Sequence, residues 1–301
     1  MAHDLYMITY VSEEDVKSSL NMKECIEELR KAFISYGKGI SETHPRDRII
    51  VDKNILNTMP GYYADRHLAG LKTYYSGPKG IHFTVIIFNT ERPQDLYIIE
   101  ANALGQIRTG ALTAMVTSEI IKKKSINFTL IGSGFQAQSQ FLGMNEMFNL
   151  ENAFVYSRNL EHSKEFAHKF GIQQVKTLDV LRESDVITTI TNSNTPIFNY
   201  SQLPDDYHIN LAGSNFPIRR EAAPDVLDKS DLVIVENYDQ AMMESSEIMG
   251  IENKNKIIEL KDYIVNKNKY SAKKSIFKSM GIGLEDVAAG YVILKNMDLL
   301  N

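Results

Sequence analysis

Apolar positions along this chain change their pattern twice. Over residues 21–36, NMKECIEELRKAFISY, the residues Ile26, Leu29, Ala32, Phe33 and Tyr36 recur at helical spacing. Asn21 is placed to cap that helix, Glu24 stands three positions on, and Gly37 offers a stop. Cys25 borders the apolar face and reads as a small buried hydrophobe. Between 48 and 102 the runs RIIVD, LAGLKTYY, FTVIIFN and DLYIIEAN are β-branched or aromatic and are parted by turn residues. They predict a mostly antiparallel sheet in which ERPQ is a hairpin loop. RTGALTAMVTSEIIKKK, 108–124, reads as a helix whose last-turn lysines suit the negative end of its dipole.

From 125 onward strands and helices alternate. NFTLIG, AFVYS, QQV, DVITTI, HINLAG and DLVIVE are the strands, with FQAQSQFLGMNEMF and LEHSKEFAHKF among the helices. Strict alternation predicts parallel βαβ units with right-handed crossovers. The Lys- and Asn-rich stretch 252–274 reads as a surface loop with short structure, and GLEDVAAGYVI as a final helix. The domains expected are therefore 1–120, completed by about 276–301, and 121–275, an α/β nucleotide-binding domain.

Composition narrows the classes. The chain's 301 residues suffice for two domains, each with a core. Thirty-three basic against 38 acidic residues give a formal charge of −5, with no basic block to attract nucleic acid. The single cysteine forbids an intrachain disulfide and suits a reducing compartment. MAHDLYMITY has an early acid and no continuous apolar stretch, so it is not expected to be a signal peptide. Nothing approaches the roughly 20 apolar residues of a membrane span. The expectation is a cytoplasmic protein with neither nucleic acid nor membrane as partner. No metal is assigned.

Gly132-Ser133-Gly134-Phe135-Gln136-Ala137 fits G-x-G-x-x-A between a strand and a helix. The first glycine permits the tight turn and the second lets the backbone approach a pyrophosphate. The small third residue lets helix and strand pack closely. The phosphates would meet free N–H groups at the helix start. The next strand ends Tyr156-Ser157-Arg158-Asn159, with no acid for the ribose hydroxyls of NAD. A guanidinium there predicts a preference for NADP(H); NAD(H) held through backbone contacts is the alternative. In the front half, Arg46, Lys72 and Arg108 lie at strand or helix boundaries, where cations can clamp a carboxylate.

Several motifs converge in order: PR at 45–46, MPGYY at 59–63, GLK at 70–72 and IRTGALTAM at 107–115. IGSGFQAQ at 131–138, VYSR at 155–158, SDVITTIT at 184–191, AGSNFPIRRE at 212–221 and FKSMGIGLEDVAAG at 277–290 follow. This order, over nearly the whole chain, resembles the ornithine cyclodeaminase/mu-crystallin family, which includes archaeal-type alanine dehydrogenases and ketimine reductases. The resemblance implies a Rossmann-type doubly wound nucleotide domain. It also implies an α+β substrate and dimerisation domain, built from the N-terminal region and the C-terminal helix, and a homodimer. It implies roles as well. Arg46 and Arg108 would bind the substrate carboxylate, Met59 would line the same site, and Lys72 would stand at the reacting carbon. Thr109 would lie near the cofactor phosphates, Ile190 and Thr191 beside the adenosine half, and Ser279 in the stretch closing over the nicotinamide.

Two departures matter. Cyclodeaminases of the family carry an aspartate where this chain has Asn215, and a glutamate where it has Asn57. An amide is no general base near neutral pH. Asn215 could instead orient an amine or a water. The expectation is an NAD(P)-dependent amino-acid dehydrogenase or ketimine reductase. Ornithine cyclodeamination with bound NAD, and a non-catalytic crystallin-like NADP(H)-binding protein, are the alternatives.

Overall fold

The structure, a computed structural model, describes residues 7–300 except Lys79. The stretch MAHDLY, part of the segment read above for a leader, lies outside the described residues. Contacts divide the chain into two compact units: one from the N-terminus to Arg108 together with Gly281 onward, the other Thr109–Met280. The chain therefore passes between units at Arg108–Thr109 and again at Met280–Gly281, rather than near 120 and 276.

The front unit is built from β1 (Met7–Val11), α1 (Glu13–Ser19), α2 (Met22–Gly37), β2 (Glu42–Thr43), β3 (Asp47–Val51), β4 (Asn54–Tyr63), β5 (Leu68–Gly77), β6 (Gly80–Asn89) and β7 (Asp95–Glu100). Its sheet runs β1-β7-β6-β5-β4-β2, with β3 also on β4. Every pair is antiparallel except β1 with β7. Asn21 caps α2 as expected, accepting from the Glu24 N–H at 2.9 Å, and Cys25 is buried.

The next helix, α3 (Asn102–Ile120), starts six residues before the expected one and stops before Lys122, Lys123 and Lys124. Its start is set from afar. The Glu13 carboxylate accepts from the Asn102 and Ala103 N–H groups, so the capping acid lies about 90 positions away.

The back unit contains the rest of α3 and then β8 (Ser125–Ile131), α4 (Phe135–Met147), β9 (Asn149–Tyr156), α5 (Leu160–Phe170), β10 (Gln173–Gln174), β11 (Val186–Thr189) and β12 (Tyr207–Leu211). It continues through α6 (Pro224–Asp228), β13 (Leu232–Val235), α7 (Tyr238–Glu244), α8 (Ser246–Met249), β14 (Ile257–Glu259), α9 (Leu260–Asn266) and β15 (Lys274–Lys278). The sheet order is β10-β9-β8-β11-β12-β15-β13-β14, parallel throughout. The stretch 252–274 is thus not mainly loop: Leu260, Tyr263 and Ile264 are buried from α9, and β14 extends the sheet. Because β15 inserts between β12 and β13, a boundary at 275/276 would cut a central strand. The core on these strands includes Ile187, Leu211, Val235 and Ile276, as expected for a parallel sheet covered on both faces.

The last helix, α10 (Gly283–Asn296), returns to the front unit and lies on β4, β5, β6 and α2. It approaches β4 so closely that a Cβ on Gly283 would stand 2.3 Å from the Met59 carbonyl oxygen. Only glycine admits that contact.

Candidate active site

In the back unit the chain runs from β8 to β9 on one side and returns to β11 on the other. That is the topological switch point, where open α/β sheets bind ligands at the strand ends. A cavity of about 550 Å³ lies there, a size suited to a small-molecule site. It is lined by the turn Gly132–Gln136, by Ser157 and Arg158 after β9, by Ile190 and Thr191 after β11, and by Gly213 after β12. Gly132 has φ +120°, and a Cβ there would stand 2.5 Å from the Ile190 carbonyl oxygen; the turn requires glycine. A Cβ on Gly134 would meet nothing within 4 Å, so the space over the second glycine is open. Gly134 caps α4 without a side chain, and the first residues of that helix, Phe135 and Gln136, line the cavity.

Three residues expected at the cofactor do not line this cavity among the described residues. Asn159 spends its side chain capping α5, accepting from the His162 N–H at 3.1 Å. Ser279 donates to Glu236 Oε1 at 3.0 Å. Thr109 lies within α3, where its carbonyl oxygen accepts from the Thr113 hydroxyl at 3.3 Å. Among the lining residues that the sequence reading did not assign is His162, in the first turn of α5, which faces the same cavity as Arg158. Its position four residues after the strand-end arginine was the available signal.

The front unit assembles a buried charge cluster. Register pairs Met59 on β4 with Lys72 on β5, so both point to one face of the sheet. Arg46 donates from Nε to the Met59 sulfur at 3.3 Å and from Nη2 to the Gly281 carbonyl at 3.4 Å. Lys72 Nζ donates to Asp286 Oδ1 at 3.1 Å and lies 5.0 Å from the Phe83 ring centroid. Arg108 donates from Nε to the same Asp286 oxygen at 3.1 Å and from Nη1 to Glu285 Oε2 at 2.7 Å. Gly281, with φ +81°, lies against Arg108: a Cβ there would be 2.9 Å from Nη2. The structure thus brings Arg46, Met59, Lys72 and Arg108 together.

The sequence reading missed the acids that organise this cluster. Glu285 and Asp286 stand in the first turn of α10, where acids are commonplace, and both are fully buried. The second oxygen of Asp286 has no hydrogen-bond partner among the described residues. Burial pushes the Lys72 ammonium down to about 8; Asp286 opposes the fall, and Arg108 and Arg46 add to it. Three cations face two carboxylates, so the cluster carries one net positive charge while Lys72 is protonated.

The two amides belong to different units. Asn57, on β4 two residues before Met59, accepts from Arg48 Nε at 3.2 Å and donates to the Ile55 carbonyl at 3.3 Å. Asn215 lies half-buried in the back unit, in the loop after β12. Among the described residues no group of three or more His, Cys, Asp or Glu side chains could hold a metal. No helix among them is long and apolar enough to cross a membrane.

Residues 7–299 match the model of the ornithine cyclodeaminase/mu-crystallin family. The chain is 25% identical to an alanine dehydrogenase of Archaeoglobus fulgidus, over 95% of its length and 94% of the relative's. It is 26% identical to a Delta(1)-pyrroline-2-carboxylate reductase of Bacillus cereus, over 92% and 93%. The solved structure of an archaeal alanine dehydrogenase dimer with bound NAD shares the fold, with a TM-score of 0.86 at 23% identity, covering 95% of each chain.

Proposed function

The chain belongs to the ornithine cyclodeaminase/mu-crystallin family, and from that premise we propose that it is an NAD(P)-dependent oxidoreductase of a small amino acid or its imino acid. The observation that carries this is Lys72, a buried ammonium held near neutrality beside two guanidiniums and a carboxylate. Arg46 and Arg108 bind the substrate carboxylate, whose single negative charge matches the cluster's surplus. When bound, the dinucleotide supplies or takes up the hydride at the α carbon. Protonated Lys72 gives a proton to the imine nitrogen as the imino acid is reduced, and neutral Lys72 takes it back in the oxidation. Asp286 keeps Lys72 in place for both steps.

Cyclodeamination fits less well. A substrate with a cationic side chain would want a carboxylate at residue 57, where this chain has an amide engaged with the Arg48 guanidinium. Asn215 likewise supplies no base.

The cavity suits a dinucleotide. The glycine turn and the start of α4 would hold the pyrophosphate, and Arg158 with His162 stands where the adenosine ribose would lie. This favours NADP(H). Arg158→Ala should raise KM for NADPH roughly tenfold or more, the weight of one charge-assisted hydrogen bond, and KM for NADH far less. Equal effects would remove the preference. The same reading makes the protein a homodimer through the front sheet, where Ile49, Ile50, Tyr75, Ile81 and Phe88 are exposed.

The deciding experiment follows NADPH absorbance with pyruvate, with and without ammonium, beside pyrroline-2-carboxylate. Ammonium-dependent oxidation means reductive amination, and oxidation with the cyclic imine alone means ketimine reduction. Silence with both, together with turnover of ornithine, overturns the proposal.

A further inference from the structure

One side of the cofactor cavity is tied together from behind. Glu221 is fully buried. Its Oε1 accepts from the Thr191 N–H at 2.8 Å and the Thr191 hydroxyl at 2.9 Å, while Oε2 accepts from the Gly213 N–H at 2.8 Å. Thr191 follows β11 and Gly213 follows β12, and both line the cavity. One carboxylate thus spans two loops leaving neighbouring parallel strands, and it satisfies two N–H groups of loop backbone.

The carboxylate is itself held. The Glu221 N–H donates to Glu247 Oε1 at 2.7 Å, and its carbonyl accepts from Ile197 N–H at 2.8 Å. Lys278, fully buried at the end of β15, places Nζ 3.3 Å from Glu247 Oε2. Burial pushes Glu247 up, but Lys278 and the Glu221 N–H outweigh it and hold the carboxyl below its usual range. The clasp is also sterically closed. A Cβ on Gly213 would lie 2.2 Å from the Thr191 nitrogen and 2.3 Å from Glu221 Oε1.

We propose that Glu221 is a positioning residue for the dinucleotide, fixing the spacing of the β11 and β12 loops so that Thr191 and Gly213 present a preset wall to the cofactor. This rests on the cofactor reading of the cavity. Glu221 faces away from the ligand and acts through the backbone it holds. Glutamine has the same shape but replaces one acceptor oxygen with a donor. One arm of the clasp would then set N–H against N–H, leaving a buried donor unpaired. Gly213→Ala wedges the same clasp from the other side.

The test is a fluorescence titration of the purified full chain with NADPH and with NADH, for the native protein, Glu221→Gln and Gly213→Ala. Each titration gives Kd and stoichiometry separately. The expected result is a Kd roughly tenfold or more higher in both variants, the size of one lost buried hydrogen bond, with stoichiometry retained. Steady-state kinetics should follow, with KM for the dinucleotide raised and kcat changed less than about threefold. A merely structural role would lower the binding-competent fraction and leave Kd where it was, and that outcome overturns the inference. So does a Kd within about twofold of native in both variants. Failure of the native protein to bind either dinucleotide instead overturns the cofactor reading beneath it.

Discussion

Lys72 in the front unit and His208 in the back unit are both fully buried bases, and burial lowers the pKa of each. They fall by similar amounts and end in different places because a free lysine starts at 10.5 and a free histidine at 6.5. Lys72 meets the Asp286 carboxylate at 3.1 Å and settles at about 8. Among the described residues His208 hydrogen-bonds only neutral groups, Ser275 Oγ at 2.9 Å and Asn210 Oδ1 at 3.2 Å, and falls to about 4. Lys72 is left able to gain and lose a proton near neutral pH, with Asp286 offsetting part of the burial and Arg108 and Arg46 adding to it, whereas His208 is left neutral there. Asn210 passes the network on to Thr188 and Thr117, so the histidine serves as a packed polar strut between strands.

The largest effect that could break this contrast is at Lys72. Lys72→Met should lower kcat/KM by about a thousandfold in either direction, the scale of general acid–base catalysis. Cofactor Kd should stay within about twofold, since every described residue lining the cavity belongs to the other unit. The native enzyme should lose imine reduction as pH rises through about 8 and gain amino-acid oxidation over the same range. Undiminished turnover in the variant would strip Lys72 of its role.

His208 should show itself in stability instead. Its folded pKa of about 4 lies below the ordinary 6.5. Between those values the unfolded chain takes up a proton that the folded chain refuses. Folding stability should therefore be full above about pH 6.5 and fall as the pH drops toward 4. The expected loss is about 3 kcal/mol. Urea unfolding across that range measures it, and His208→Gln should flatten this part of the slope. An unchanged slope would mean that other groups carry it.

The two units also differ in how far their chemistry could be read from residue order. The cavity over the glycine turn is mostly local: Gly132 to Gln136 are contiguous, and Ser157, Arg158, Ile190 and Thr191 close the ends of strands that alternation already marked. Motif and period marked these residues, while Thr109, Asn159 and Ser279, expected with them, do not line the cavity. The front cluster is not local. The cations were legible as residue types, although Lys72 lies inside β5 and Arg108 inside α3 rather than at the element boundaries expected, and Asp286 lies 214 positions from Lys72 and 178 from Arg108. In sequence it is an acid in a helix's first turn, which the helix dipole already explains. Only the packing of α10 onto β4 and β5 makes it a partner. The early start of α3 was hidden for the same reason, since Glu13 is remote from the N–H groups it caps. The insertion of β15 between β12 and β13 leaves no local trace, because strand order in a sheet is set by long-range pairing.

Asp286 is where the contrast between the two bases can be sharpened most finely. Asparagine there keeps the volume and can still accept from Lys72, but it removes the charge. If Lys72 stays near 8 because a carboxylate offsets burial, Asp286→Asn should move it toward the behaviour of His208, a base locked neutral. The pH limb of imine reduction should then shift down by about one unit, the lower range for loss of a close opposite charge. Rate would fall about twofold at pH 7 and about tenfold above roughly pH 9, because less of Lys72 would carry its proton. Oxidation should suffer less, since it uses the neutral form. A merely structural part for Asp286 would lower both directions equally and leave the limb near 8. The split between the two directions, read from pH profiles of both, tells whether the carboxylate tunes the lysine or only packs beside it.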